Sequence, residues 1–162
     1  MINFLSKYLF MSFTFVLCLQ TNVLYANELK SPEHEQWLLE QYGEQHQKLI
    51  PIVAVADMFF TCNNATAVQV QKFTIIELVN EMDKEELASR LSECLGEYSI
   101  KSDKALNYGL SGCFQAQLAH LPLEDRTQKI KLVNSAIAKL SRAERQKSFT
   151  QCVTDQSMKY LK

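Results

Sequence analysis

Apolar side chains recur at steps of three and four residues along most of the chain, which is the period of an α-helix. The segment after Asp83 is the clearest case, because Asp83 can cap a helix, Glu86 can reach back to the cap and Gly96 can end the helix. Its apolar face comprises Leu87, Leu91, Cys94 and Leu95. We therefore expect a helix between Asp83 and Gly96.

The same criteria predict further helices before and after this segment. A helix should begin at Ser31, as the cap, and Pro32, in the first turn, and run toward Leu49. Ile50–Pro51 should interrupt it, because Pro51 lacks an amide hydrogen and disfavours a helical residue before it. A second helix should start at Pro51, and it is apolar on almost every side, so we expect it to be the most buried element. The remaining predicted helices cover about residues 66–82, 104–120, 124–140 and 142–161.

The low glycine content argues against a fold built from β-strands. The chain contains four glycines among 162 residues, whereas tight hairpins and phosphate-binding loops depend on residues that accept a positive φ. The predicted fold class is therefore all-α, a compact bundle of about six to seven helices.

The first 26 residues have the order of a secretory signal peptide. Lys7 precedes an apolar run of about a dozen residues, and Ala26 supplies the small side chain expected before a cleaved bond. Cys18 raises the alternative of a lipoprotein, but the residues before it lack the small side chain that such processing requires. We expect cleavage after Ala26, a single domain over residues 27–162, and a periplasmic or secreted location without stable membrane insertion.

Removal of the leader leaves an even number of cysteines, namely Cys62, Cys94, Cys113 and Cys152. Thiols in an oxidising compartment pair when geometry allows, so we expect two disulfides that staple the bundle. Zinc is the competing interpretation, but the chain has neither a C-x2-C nor an H-x3-H pair. We therefore predict no metal site and no cofactor.

An internal duplication assigns the pairing. At a constant offset of 58 positions, the cap, carboxylate, cysteine and apolar residues of the helix after Asp83 correspond to those of the helix after Ser141. The repeat predicts two three-helix units, residues 51–98 and 102–162, with Cys62 paired to Cys94 and Cys113 to Cys152. Cys62 and Cys113, on the earlier helices, do not align at the same offset. Chance similarity between two capped amphipathic helices is the alternative.

Candidate catalytic groups mostly have structural explanations. His34 and His46 lie among glutamates on the first helix, where we expect them to be solvated or at most to bind a metal weakly, and His120 lies at a helix end, where it can cap free carbonyls. The segment Gly109–Cys113 does not match the G-x-S-x-G motif of a nucleophile elbow. Gly109 and Gly112 should instead allow close helix contact. We expect no enzymatic activity.

Binding is the function that remains. The net charge of −1 provides no attraction to nucleic acid. Our leading hypothesis is an exported non-catalytic protein-binding module, such as an inhibitor or immunity protein for an enzyme in the same compartment. The alternatives are a periplasmic chaperone or stress protein, and a helical carrier of an apolar ligand. The cavity of such a carrier would be lined by Met58, Phe59, Phe60 and Phe114, although core packing is the favoured expectation for these residues.

Aromatic side chains are frequent at protein interfaces, and this guides the choice of a contact surface. We select Trp37 and Tyr42 on the first helix, together with the loop around residues 99–104, as candidate contacts with a protein partner. Docking of Trp37 onto the core is the alternative for that residue.

Overall fold

The computed structural model describes residues 32–65 and 71–161, so the predicted signal peptide, residues 1–26, lies outside the described residues. The chain divides into two compact units, Met1–Gln41 and Tyr42–Lys162. The core described below belongs to the second unit.

The described residues form an all-α fold, as the sequence predicts. Helix α1 covers Pro32–Ala65, and it is followed by the short helix α2 and by four longer helices. The other helices are α2 (Ile75–Asn80), α3 (Lys84–Leu95), α4 (Asp103–Gln117), α5 (Leu123–Ile137) and α6 (Arg142–Ser157), and a 3-10 turn covers Met158–Tyr160. None of these helices combines the length and apolar character needed to cross a membrane.

The predicted break at Pro51 is wrong, because α1 continues through it. Proline removes one hydrogen bond to the carbonyl four residues earlier, here Gln47. Both Gln47 and Pro51 lie on the exposed side of α1, where water can reach that carbonyl. Val53 and Ala56 in the following turn are completely buried, so their packing holds the helix together beyond the proline.

The predicted helix over residues 66–82 is much shorter in the structure. Residues 66–70 lie outside the described residues, residues 71–74 are not helical, and α2 begins at Ile75. The Thr74 side chain accepts a hydrogen bond from the Glu77 amide, and the Glu77 carboxylate accepts one from the Thr74 amide. This capping box fixes the start of α2. The spacing of the apolar residues alone did not reveal this capping box.

All six helices that the structure describes contribute buried side chains to the core. Its fully buried side chains include Val53, Leu78, Leu87, Leu91 and Leu110. The four residues named as a candidate cavity lining belong to this packing, because Met58 and Phe59 are buried in the core while Phe60 and Phe114 pack against it. Core packing, the favoured expectation for these residues, is therefore confirmed.

Both predicted disulfides are confirmed. Cys62 is bonded to Cys94, which joins α1 to α3, and Cys113 is bonded to Cys152, which joins α4 to α6. In each predicted unit the bridge joins a first helix to a third, and the duplication itself stays a prediction. The halves differ in their middle helix, since α2 has 6 residues and α5 has 15.

The equivalent caps are also present in both halves. Asp83 accepts hydrogen bonds from the amides of Glu85 and Glu86, and Ser141 forms a full capping box with Glu144. Glu86 does not reach back as expected, because its carboxylate binds Arg90 at 2.8 Å.

Two glycines of α4 allow close contact with neighbouring helices, as predicted. A Cβ atom on Gly112 would lie 2.8 Å from the carbonyl carbon of Asp57 and 2.9 Å from its Cα. A Cβ atom on Gly109 would meet the ring of Phe149 on α6. The backbones of α1 and α4 therefore touch at Gly112, and no larger residue fits there without movement of one helix.

Candidate functional site

A short loop between α3 and α4 exposes two large apolar side chains. Tyr98 is 53% exposed and Ile100 is 48% exposed. We call residues 96–102 the contact loop. It overlaps the surface around residues 99–104 that the sequence selects, and it adds Tyr98, which that selection missed although an aromatic residue two positions after a helix-ending glycine was visible in the sequence.

The backbone of the contact loop is held by its own hydrogen bonds. Gly96 has a φ of 61° and ends α3, and its amide donates to the carbonyl of Ser92 at 3.1 Å. The amide of Tyr98 donates to Leu95 at 3.2 Å, and that of Ser102 donates to Ser99 at 2.9 Å. A loop fixed in this way loses little conformational entropy when it binds.

Two arginines of α6 attach the end of the loop to the bundle. Arg142 donates one hydrogen bond to the Lys101 carbonyl at 2.6 Å and another to the Asp103 carboxylate. Arg145 also binds Asp103, at 2.8 Å. Desolvation alone would raise the pKa of the Asp103 carboxyl. The hydrogen bonds and charges of Arg145 and Arg142 outweigh this effect and lower the pKa. Asp103 therefore stays ionised and keeps both arginines in place.

A cation lies over the aromatic ring of the loop. The Lys104 Nζ atom is 4.0 Å from the centroid of the Tyr98 ring and 6.0 Å from that of Tyr108. Attraction between an ammonium group and the face of an aromatic ring favours one ring orientation. The contact loop thus presents an exposed aromatic side chain with a positive charge beside it.

The other two residues selected from the sequence lie on α1. The Trp37 side chain is 49% exposed, and Tyr42 is partly buried. Trp37 belongs to the first compact unit and Tyr42 to the second, so each is described by itself. Their role in binding stays a prediction.

The predicted environment of His46 is wrong. This side chain is only 5% exposed, and its Nε2 atom lies 3.0 Å from the Thr154 carbonyl on α6. Because a carbonyl only accepts hydrogen bonds, Nε2 carries the proton and donates it. His120 does bind a helix end as predicted, since its Nδ1–H donates to the Gln117 carbonyl at 2.9 Å. The side chain of His34 lies outside the described residues.

The most unusual buried group is Asp57, in the middle of the apolar part of α1. Its side chain is completely buried, and Gln156 donates a hydrogen bond to its Oδ1 atom at 3.1 Å. Its Oδ2 atom has no hydrogen-bond partner among the residues that the structure describes. Burial raises the pKa of Asp57 well above its usual value, and the hydrogen bond from Gln156 opposes this only in part. Burial, together with the charge of Asp57, also raises the pKa of Tyr160.

The sequence already indicates that Asp57 and His46 lie on the buried face of α1. Asp57 is the one acidic residue in the apolar segment after Pro51, and His46 precedes Val53 by seven positions and Asp57 by eleven. Residues at these spacings lie on one helical face. The glutamates beside His46 in the sequence predict an exposed residue, whereas the helical period places His46 on the buried face.

The buried carboxyl gives a testable pH dependence. Asp57 has a raised pKa in the folded protein, so the folded state retains a proton that the unfolded state releases near pH 3.8. The free energy of unfolding should therefore fall as the pH rises from about 3.8 to the raised pKa, and stay lower above it. Asp57→Asn should remove this fall and stabilise the protein by about 1–3 kcal/mol at pH 8.

Urea unfolding of both proteins between pH 4 and pH 8 measures this difference. Glu77, Asp83 and Glu144 have pKa values lowered by hydrogen bonds at helix starts, and these exposed groups act in the opposite direction at low pH. They are present in both proteins, so their effects cancel in the comparison. A parallel pH dependence in the two proteins would contradict a raised pKa at Asp57.

Among the buried polar groups, Asp57 and Gln156 bind each other, and His46 and Ser157 share the Thr154 carbonyl. Ser111 accepts a hydrogen bond from Gln115. Cys113, next to Gly112, is bonded to Cys152 and carries no thiol. Within the described residues, no three metal-ligating side chains come together.

Comparison with known proteins gives no further guidance, because no family model, no curated protein and no solved structure matches the chain.

Proposed function

We propose that the protein is an exported, non-catalytic module that binds another protein through its contact loop, as an inhibitor or immunity protein for an enzyme of the same compartment. The observation that carries this proposal is the combination of exposure and rigidity at Tyr98 and Ile100. Both side chains are about half exposed, while the backbone that bears them is fixed by hydrogen bonds and by Arg142. Rigid aromatic side chains dominate the energetics of many protein interfaces.

The two disulfides support the same proposal. Cys62–Cys94 ends one residue before the last residue of α3, directly ahead of the contact loop, and Cys113–Cys152 joins α4, which follows the loop, to α6, which carries its arginines. The loop is thus attached to covalently bridged helices on both sides. Disulfides of this kind persist in oxidising compartments, which fits export.

Affinity capture from the native compartment tests the proposal. The wild-type protein should retain one stoichiometric partner, and Tyr98→Ala with Ile100→Ala should weaken that complex by about 2 kcal/mol or more, roughly thirtyfold in Kd. Calorimetry with the purified partner measures the loss. If the partner is an enzyme, its activity should fall on binding.

Leu132→Ala is the matched control, because Leu132 is an apolar side chain 71% exposed on α5, outside the contact loop. It should leave the affinity unchanged. Recovery of many unrelated unfolded proteins would favour a chaperone and overturn the proposal, and so would an affinity that does not respond to the loop variant. Trp37→Ala tests the other predicted contact in the same assay.

A further inference from the structure

A groove on the second compact unit lies between α1 and α3, on their solvent side, and encloses about 410 Å³. Pro51, Ile52 and Val55 line it from α1, and Leu87 and Ala88 line it from α3. Leu87 is buried and forms part of the core, whereas Pro51 and Ala88 are exposed. The groove is therefore an apolar depression that reaches the core, within the size range of small-molecule sites.

Two lysines complete the lining, and they lie at the same end of it. Lys48 is one helical turn before Ile52, and Lys84 is one turn before Ala88. The Cys62–Cys94 bridge joins later turns of the same two helices, so α1 and α3 run in the same general direction. Both lysines therefore precede the apolar residues and bring two positive charges to one end of the groove.

Neither lysine is held by a strong partner within the described residues. Lys48 pairs with Glu44 at 2.6 Å, but the two side chains are 68% and 84% exposed, and an exposed pair of this kind contributes little. Lys84 is the first residue of α3, where the helix dipole also favours a negative group. The carboxylate of the preceding Asp83 is occupied by backbone amides.

We propose that this groove binds a single-chain amphiphile with a carboxylate head, the chemical class of fatty acids. Its apolar tail lies against Ile52, Val55 and Leu87, and its carboxylate lies between Lys48 and Lys84. The charge at one end and the apolar lining beyond it match the two parts of such a molecule. The groove is separate from the contact loop, so this proposal does not depend on the proposed function.

Calorimetric titration of the purified protein with decanoate, decanol and decyltrimethylammonium tests the proposal, because the three probes share a tail length and differ in head charge. Decanoate should bind most tightly and the cation least. Lys48→Gln with Lys84→Gln should weaken decanoate binding about tenfold and leave decanol binding unchanged. Lys129→Gln with Lys147→Gln, which alters two exposed lysines elsewhere, is the matched control.

Ala88→Trp provides a second variant, because Ala88 is exposed and its enlargement fills the groove without disturbing the core. It should abolish binding of decanoate and decanol alike. Failure of decanoate to bind, equal binding of decanoate and decanol, or indifference to Ala88→Trp would each overturn the proposal. Self-association that Ala88→Trp removes and decanoate leaves intact would assign the groove to a second copy of the chain instead.

Discussion

Gly112→Ala is expected to destabilise the protein by about 3 kcal/mol, because the added methyl group has no space. It would lie less than 3 Å from backbone atoms of Asp57, and backbone cannot rotate away as a flexible side chain can. The helices α1 and α4 would have to separate, which would loosen the core between them. Urea unfolding monitored by circular dichroism measures the change in the free energy of unfolding.

Gly43→Ala is the matched control for this experiment. Gly43 also lies within a helix, but a Cβ atom there would meet no atom of the described part of the chain within 4 Å. Alanine is the better helix former, so this substitution should stabilise the protein by up to about 1 kcal/mol. Gly109→Ala should be intermediate, because the Phe149 ring that it meets is a side chain and can shift. A Gly112→Ala protein as stable as the wild type would contradict the close helix contact.

Removal of one disulfide should destabilise the protein about as much as Gly112→Ala. Cys62→Ala with Cys94→Ala opens a covalent loop that spans 32 positions, and the entropy regained by the unfolded chain corresponds to about 3–4 kcal/mol. The same change at Cys113 and Cys152, which are 39 positions apart, should cost about as much. Urea unfolding of both double variants, beside the oxidised wild type, measures these losses.

The pairing itself is tested by a single substitution. Cys94→Ala should leave Cys62 as the thiol that alkylation detects, and mass spectrometry of the peptides identifies it. Alkylation of Cys113 or Cys152 in that variant would reject the pairing. For a domain whose total stability is of the order of 5–15 kcal/mol, loss of either bridge is a large fraction.

The sequence predicts the position of the contact loop but not its rigidity. Gly96 predicts the end of α3 and therefore a loop after it, because a glycine there accepts the positive φ that a helix end requires. The rigidity of the loop depends on Arg142 and Arg145, which are about 40 positions away. Spacing along the chain does not reveal such a contact, since it arises only when α6 packs beside the loop.

The sequence by itself determined the helical class, the capped starts of α3 and α6 and the pairing of the cysteines. These features follow from local backbone chemistry and from a pattern repeated along the chain. The tertiary structure decided the rest, because burial depends on which helices meet. It carried α1 through Pro51, where the packing of Val53 and Ala56 compensates for a lost hydrogen bond, and it enclosed Asp57 where α1 crosses Gly112 of α4.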